Sequence, residues 1–250
     1  MNNKILGSRV DPISYAQAVH QIMTWARYNE SRYVCAANVH MLMEAYDSPE
    51  FQNIVNTADL VTPDGMPLVW MLQRLGYSKQ ERVYGPDLTI KLIEAAVTGE
   101  VSVGFYGGTV ETLAQLTATF KDKYPNLKIA YSNSPPFRRL TDEEGQTVIR
   151  TMNASGAKIL FVGLGCPKQE RWMAVHRGKI QAVMIGVGVA FDFHSGRKRQ
   201  SPLWMQRSGL EWLFRLVHEP ARLWRRYLYH NPRFIVLALM QLSGLRAFDV

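Results

Sequence analysis

Short, continuous apolar runs recur along the chain, and each is followed by glycine or a polar turn and then by a helix-like pattern. The clearest are VSVGFYGGT at 101–109, ILFVGLGCP at 159–167 and AVMIGVGVAFDF at 182–193. Two earlier runs have the same form, RYVCAANVHML at 32–42 and ADLVTPDG at 58–65. Strands that are apolar on both faces are typical of a parallel sheet covered by helices. The pattern predicts an α/β fold with a Rossmann-like, doubly wound, mostly parallel sheet.

The pattern changes near residue 197, where a helical appendage is predicted. Residues 201–218 predict one helix capped by Ser201, and Pro220 and Pro232 each predict the start of another. At about 100° per residue, residues 221–230 form a basic amphipathic helix. One side carries Arg222, Arg225, Arg226 and Tyr229, and the other carries Ala221, Leu223, Trp224, Tyr227 and Leu228. Such a helix can lie on a membrane surface, although an ordinary surface helix with solvated arginines has the same pattern.

The positive charge lies in this same segment. The chain has a formal net charge of +8, and residues 195–250 hold ten basic and three acidic side chains. We therefore expect an α/β catalytic domain at 1–196 and a basic appendage at 197–250 that meets an anionic partner. No apolar run reaches the roughly 20 residues of a membrane span, and no signal peptide is recognisable. Together with two widely separated cysteines, Cys35 and Cys166, these features predict a cytoplasmic protein.

Asp64 is the first candidate for chemistry. It lies in the turn VTPDGMP, directly after an apolar run and before a helix whose first turn holds Pro67. A carboxylate at a strand end can accept a proton, and a following helix N-terminus favours its ionised form. Pro-Asp-Gly is also a common turn, and aspartate is a good helix cap, so a structural role stays open.

Three glycine-containing turns are candidates for binding phosphate or sugar. GLGCPKQERW places Gly163 and Gly165 at a strand end and Lys168 and Gln169 at a helix start, where backbone N–H groups can hold a phosphate. A tight structural turn is the alternative. The remaining candidates are Gly107 and Gly108 in YGGT, and Phe191 and Asp192 in GVGVAFDF, where the aromatic rings could equally be buried in the core.

The sequence motifs of several common catalytic and metal-binding sites do not occur in this chain. The chain has no Asp-x-Asp pair for a nucleotide-bound metal, no HExxH, no GxSxG and no Walker A loop. Its six histidines do not occur at metal-ligand spacing, although His194 is close enough to Asp192 to line the same pocket. We expect no metal and no cofactor, so a leaving phosphate would be neutralised by Arg, Lys and helix N-termini.

Five motifs in order give a specific resemblance over roughly residues 5–234. They are TPDG at 62–65, YGG at 106–108, GLGCPKQE at 163–170, GVGVAFDF at 186–193 and SGLEWLFRLVHEPARLWRRYL at 208–228. Together they resemble the WecG/TagA/CpsF glycosyltransferases (glycosyltransferase family 26). The resemblance implies transfer from a UDP-sugar to a polyprenyl-diphosphate-linked saccharide at the cytoplasmic face of the bacterial inner membrane. A homo-oligomer is compatible with the sequence.

The resemblance also assigns roles to residues. It places the general base at Asp64, a catalytic asparagine at Asn38 and the PKQE glutamine at Gln169. The arginines implied in recognising the lipid diphosphate are Arg215, Arg222 and Arg225, and Arg226 lies on the same helix face. Where family members often carry threonine, this chain has Ala36. We expect an inverting, metal-independent enzyme whose donor sugar is N-acetylmannosamine, its uronic acid or glucose.

Two other functional classes stay open. A nucleic-acid-binding protein would use the basic tail on phosphates, but the apolar stripe of the tail is too continuous for docking in a groove, and no nucleic-acid motif occurs. A nucleotide-sugar epimerase or dehydrogenase would need a dinucleotide, and the first strand lacks the GxGxxG turn that binds one. We therefore expect no nucleic-acid partner.

Overall fold

The computed structural model describes residues 3–248, and its core is a six-stranded, all-parallel sheet in the order β4-β3-β8-β7-β5-β6. The strands of this sheet are β3 Arg32–Ala37, β4 Leu60–Pro63, β5 Val103–Gly107, β6 Ile129–Asn133, β7 Ile159–Gly163 and β8 Val183–Gly186. A short antiparallel pair, β1 Lys4–Ile5 and β2 Ser8–Arg9, precedes them. The predicted Rossmann-like α/β fold is confirmed.

Twelve helices lie in the described part of the chain. Their bounds are α1 Tyr15–Arg27, α2 Val39–Asp47, α3 Pro49–Asn56, α4 Met66–Arg74, α5 Gly85–Thr98, α6 Val110–Lys123, α7 Asp142–Ser155, α8 Lys168–His176, α9 Ala190–His194, α10 Leu203–Arg207, α11 Glu211–His218 and α12 Pro220–Leu242. Several begin at side-chain caps, which satisfy backbone N–H groups of the first turn. Asn38 caps α2, Ser48 caps α3 and Thr109 caps α6, while Thr141 and Glu144 form a capping box on α7.

The chain divides into two compact units. The Asp64 unit comprises the residues up to Ser14, Ala36–Tyr84 and the chain from Gln200 onward. The Gln169 unit comprises Tyr15–Cys35 and Gly85–Arg199. The segment that begins at Gln200 is thus part of a unit that also contains the TPDG turn. The predicted boundary between a catalytic domain that ends at residue 196 and an appendage that begins at residue 197 concerns function, and it stays a prediction.

The helices of the Asp64 unit differ from the prediction in three respects. The single helix expected over 201–218 is wrong, because Gly209 has a φ of +73° and separates α10 from α11. Ser201 does not cap α10, since Pro202 stands at the cap position with an extended ψ of 147°. The helix start at Pro220 is confirmed, whereas Pro232 lies inside α12. A proline removes one N–H and does not stop a helix that packing holds in place.

Packing accounts for the length of α12. Its buried side chains, Leu223, Tyr227, His230, Phe234 and Ala238, recur every three or four residues on both sides of Pro232. This spacing forms one continuous stripe on the helix. The helix packs against α2 and α11 within its unit. Within residues 3–248, no helix combines the length and the apolar content needed to cross a membrane.

Candidate active site

Asp64 lies in a turn that is tied to the end of β3. The backbone N–H groups of Asp64 and Gly65 donate to the carbonyl oxygen of Ala37 at 2.8 Å and 3.1 Å. Gly65, not Asp64, occupies the cap position of α4, so the side chain of Asp64 does not have the capping role that the sequence left open. Asp64 is half-buried and lines a cavity of about 850 Å³ within the Asp64 unit.

Asn38 lines the same cavity next to this turn. Its Oδ1 accepts a hydrogen bond from the N–H of Met41 at 3.2 Å, which fixes the side chain at the start of α2. Within the described residues its Nδ2 has no protein partner, so the amide can donate to a ligand in the cavity. A Cβ added at Gly65 would lie 3.2 Å from the Cα of Asn38. Glycine at position 65 thus lets the carboxylate turn and Asn38 approach each other closely.

Arg82, Tyr84 and Glu211 form a charged network beside Asp64. The Nε of Arg82 donates to the backbone carbonyl of Asp64, and its Nη2 pairs with Glu211 at 2.6 Å. The hydroxyl of Tyr84 donates to the other carboxylate oxygen of Glu211 at 3.0 Å, and the guanidinium lies 3.8 Å from the centre of the Tyr84 ring. Because Glu211 opens α11, this network joins the TPDG turn to the C-terminal helices.

The network changes two pKa values. Burial lowers the pKa of Arg82, but the charges of Asp64 and Glu211 outweigh burial and raise it above its ordinary value. Burial, followed by the charges of Glu211 and Asp64, raises the pKa of Tyr84. Arg82 therefore stays cationic and Tyr84 stays protonated at neutral pH. Sequence reasoning missed this network, because Arg82 and Glu211 are far apart in the chain and no local spacing relates them.

The arginines of the C-terminal segment separate into two pairs. Arg215 and Arg226 line the cavity, and the Nε of Arg215 is buried without a hydrogen-bond partner in the described part of the chain. Arg222 instead pairs with Glu219 at 2.6 Å and is half-exposed. Arg225 is exposed and lies over the ring of Trp224 at 5.2 Å. The structure thus brings Arg215 and Arg226 together with Asp64 and Asn38, and it leaves Arg222 and Arg225 outside the cavity lining.

Apolar side chains form much of the remaining cavity wall. They come from α4 and from α11 and α12, and include Met66, Trp70, Met71, Trp212, Phe234, Ile235, Leu239 and Leu242. Gly209 is required here, because a Cβ at this position would lie 2.6 Å from the ring of Trp70. The cavity therefore combines the carboxylates of Asp64 and Glu211, several guanidinium groups and a large apolar wall. This combination suits an amphiphilic, anionic ligand.

In the Gln169 unit, the turn after β7 is held by the glutamine predicted there. The Oε1 of Gln169 accepts from the N–H of Gly165 at 3.1 Å, and its Nε2 donates to Glu170 at 2.7 Å. Gln169 and Glu170 are both buried. The amide therefore shapes the GLGCP turn in this conformation. Lys168, at the first position of α8, is exposed.

The predicted glycines of this unit allow close backbone packing. A Cβ at Gly107 would lie 2.6 Å from the backbone of Gly163, and a Cβ at Gly163 would lie 2.6 Å from the ring of Phe191. Gly108 has a φ of +70° and donates to the carbonyl of Gly163 at 3.1 Å. Phe191 is buried against Phe105, with ring centroids 5.8 Å apart. The sequence left open whether Phe191 contacts a ligand or is buried in the core, and in the structure its ring is buried.

Asp192 and His194 make protein contacts of their own. The carboxylate of Asp192 pairs with Lys198 at 2.9 Å and is 30% exposed, so it stays accessible from solvent. The Nε2 of His194 donates to the carbonyl of Pro86 at 2.9 Å. Burial lowers the pKa of His194 and outweighs this hydrogen bond, which raises it. His194 is therefore neutral at pH 7 and bonded within the protein.

Comparison with known proteins identifies the family. Residues 3–247 match the model of the glycosyl transferase WecG/TagA/CpsF family, so the chain belongs to that family and is a glycosyltransferase. Over 222 residues it is 31% identical to the N-acetylglucosaminyldiphosphoundecaprenol N-acetyl-beta-D-mannosaminyltransferase of Bacillus spizizenii, covering 88% of this chain and 83% of the relative. The protein of the same name from Bacillus subtilis is 27% identical over 217 residues, covering 86% and 82%. The resemblance read from the five motifs is confirmed.

Proposed function

We propose that the protein transfers N-acetylmannosamine from a UDP-sugar to N-acetylglucosamine linked through a diphosphate to a polyprenyl lipid. The observation that carries this proposal is the cavity of the Asp64 unit, where Asp64 and Asn38 share one space with Arg215, Arg226 and an apolar wall. The names of the two bacterial relatives supply the sugars and the lipid diphosphate. N-acetylmannosaminuronic acid and glucose are the other donor sugars to be assayed.

In the proposed reaction Asp64 is the general base. Its carboxylate accepts the proton of the attacking acceptor hydroxyl while that oxygen bonds to the anomeric carbon of the donor. The bond from this carbon to UDP breaks on the opposite face, so the anomeric configuration inverts. Asn38 would hold the acceptor sugar through its Nδ2. The reaction as written needs no metal on the departing diphosphate, and addition of Mg²⁺ should leave the rate unchanged.

The arginines of the cavity are proposed to bind the diphosphate of the acceptor. Phosphate oxygens and guanidinium groups form charge-assisted hydrogen bonds, which are stronger than neutral ones. Arg215 offers a buried Nε–H that has no partner among the described residues, and Arg226 adds a second positive charge to the same wall. The apolar wall would accommodate the first isoprene units of the lipid.

For the donor we propose the turns of the Gln169 unit. Gly107, Gly108, Gly163 and Gly165 would let the backbone of these turns approach the UDP closely, and the exposed Lys168 would add a positive charge. Asp192 would contact the sugar or the ribose. Gln169 would act by holding the turn in shape, and the buried ring of Phe191 by supporting Gly163 from the core.

We further propose that α12 lies on the cytoplasmic surface of the inner membrane. Outside the cavity lining it exposes large apolar side chains, namely Trp224, Leu228 and Val236. Arg222 and Arg225 are exposed on the same helix. Basic side chains near an anionic surface contribute about 1 kcal/mol each to membrane binding. This arrangement would bring the protein to a substrate that stays in the bilayer.

Introducing charge on this apolar side should weaken membrane binding. The double variant Leu228→Glu and Val236→Glu places two carboxylates where apolar contact with lipid is proposed, and flotation with vesicles rich in phosphatidylglycerol measures the loss. The matched control is Val110→Glu with Val175→Glu, two exposed valines of the Gln169 unit at 68% and 61%. Equal flotation of both double variants would refute the membrane assignment of α12.

Adding one methyl group at Gly65 should impair transfer. The new Cβ would press on the Cα of Asn38 at 3.2 Å and move the Asp64 turn away from the end of β3. Displacements near 1 Å in a reacting geometry can cost about 100-fold in rate, and we expect a loss of roughly 10- to 100-fold for Gly65→Ala. Gly145→Ala is the control, since a Cβ there meets nothing within 4 Å. An unchanged transfer rate in Gly65→Ala would show that this close approach is dispensable.

A further inference from the structure

Two histidines that are remote in sequence meet in the Asp64 unit. His40 lies in the first turn of α2 and His230 lies in the middle of α12, and Glu44 stands between them. The Oε1 of Glu44 is 3.7 Å from the Nδ1 of His40 and 3.5 Å from the Nε2 of His230. Within residues 3–248 these three side chains form a group whose ligand atoms all lie within 4.8 Å of one another.

The donor atoms of this group match a particular class of cation. Two imidazole nitrogens and one carboxylate oxygen are a common ligand set of zinc, with a fourth position taken by water or substrate. Mg²⁺ and Ca²⁺ prefer sets composed of oxygen alone. We propose that His40, Glu44 and His230 hold one divalent transition-metal ion of the zinc type.

The geometry of the helices supports this proposal. His40 and Glu44 are separated by four residues, so they share one face of α2, and α12 presents His230 to that face. The imidazole rings are 5.2 Å apart and inclined by 55°, so they are not stacked face to face. Small side-chain adjustments would bring all three ligand atoms to the roughly 2.0–2.2 Å that zinc requires.

The surroundings are compatible with a cation. The side chains of His40 and His230 are only 12% and 10% exposed. Arg233 lies nearby, but its charge is neutralised by two hydrogen bonds to Asp47 at 2.8 Å and 2.6 Å. Arg226 is the other cation near His230, where its charge acts against the charges of Glu44 and Asp47.

Such an ion would fasten α12 to α2. Both histidines also line the cavity, so the fourth coordination position can take a water or an anionic oxygen from that side. The ion is structural in this proposal and takes no part in proton transfer at Asp64. Because a ligand that binds only the folded state raises its stability, zinc should raise the melting temperature of the protein.

The test is zinc binding by the full-length protein, independent of catalysis. Protein stripped with a chelator and desalted is titrated with ZnCl₂ by isothermal titration calorimetry, with MgCl₂ as the comparison ion. We expect one Zn²⁺ per chain, no binding of Mg²⁺, and loss of the zinc site in Glu44→Gln and in His230→Ala. His20→Ala, which removes an exposed histidine, should bind zinc as the wild type does.

Two results would overturn the metal site. One is the absence of a one-to-one zinc isotherm in the wild type, and the other is an unchanged isotherm in Glu44→Gln. His230 is buried, so His40→Asn serves as the second histidine variant, and circular dichroism establishes that each variant is folded. The melting temperature should rise with zinc in the wild type and stay constant in Glu44→Gln. Failure here would leave the proposed sugar transfer intact, because that proposal is tested by rate and acceptor binding.

Discussion

Replacing Asp64 with asparagine is expected to lower the rate of sugar transfer by about 10²- to 10⁴-fold, the range that a general base contributes. Asparagine keeps the shape of the side chain and cannot accept the proton of the acceptor hydroxyl. The turn itself should survive, because its backbone N–H groups are held by the carbonyl of Ala37 and not by the carboxylate. Transfer to a short-chain lipid-diphosphate N-acetylglucosamine, measured at saturating substrates, gives the rate.

The control for this variant is Asp59→Asn. Asp59 lies just before β4, at the opposite end of the strand from Asp64, and it is half-buried like Asp64. The same chemical change there should leave the transfer rate within a few-fold of the wild type. Transfer by Asp64→Asn at a comparable rate would remove Asp64 from the role of base and require another proton acceptor in the cavity.

Replacing Arg215 with alanine should weaken binding of the lipid-linked acceptor. The variant removes the buried Nε–H that has no partner within the described chain, together with one of the positive charges of the cavity. Hydrogen bonds to charged groups contribute about 1.5–3 kcal/mol, so we expect the KM for the acceptor to rise roughly 10- to 100-fold. The KM for the UDP-sugar should change little, because the proposed donor turns belong to the Gln169 unit.

Arg222→Ala is the matched variant on the neighbouring helix. Arg222 is half-exposed and bound to Glu219, and it does not line the cavity. Exposed ion pairs contribute little free energy, so its KM for a short-chain acceptor in solution should stay near the wild-type value. An equal rise of KM in both variants would contradict this account. It would show that an arginine need not line the cavity to bind the diphosphate of the acceptor.

Much of the fold was predictable because its signals are local. Continuous apolar runs followed by glycine or a polar turn marked buried parallel strands, and the start of α12 followed from Pro220. Two boundaries depended on tertiary packing instead. Gly209 divides the expected helix where the chain passes the ring of Trp70, and α12 continues through Pro232 because a buried stripe extends on both sides of it.

The sequence indicated a candidate site residue only where a reactive side chain lies in a recognisable motif. Asp64 follows an apolar run in a recognisable turn, and the structure places it in a large cavity. Choosing among the arginines required knowing which side of α11 and α12 meets that cavity. The helical pattern grouped Arg222, Arg225 and Arg226, whereas the structure separates Arg226 from the other two.

Local sequence patterns do not predict contacts between residues that are far apart in the chain. Arg82 and Glu211 are separated by 129 positions, and no local spacing relates them. The same holds for His40 and His230, which the sequence indicated only as isolated histidines. In both pairs one partner comes from the C-terminal segment, so the fold of the Asp64 unit had to be known before either could be identified.

The most direct test of the central claim is acceptor binding in the Asp64→Asn background, where turnover does not consume the ligand. Isothermal titration calorimetry with a short-chain lipid-diphosphate N-acetylglucosamine should give the wild-type Kd for Asp64→Asn. Adding Arg215→Ala to it should raise that Kd by roughly tenfold or more. A double variant that binds the acceptor as tightly as Asp64→Asn alone would contradict the claim that the cavity beside Asp64 receives the lipid diphosphate.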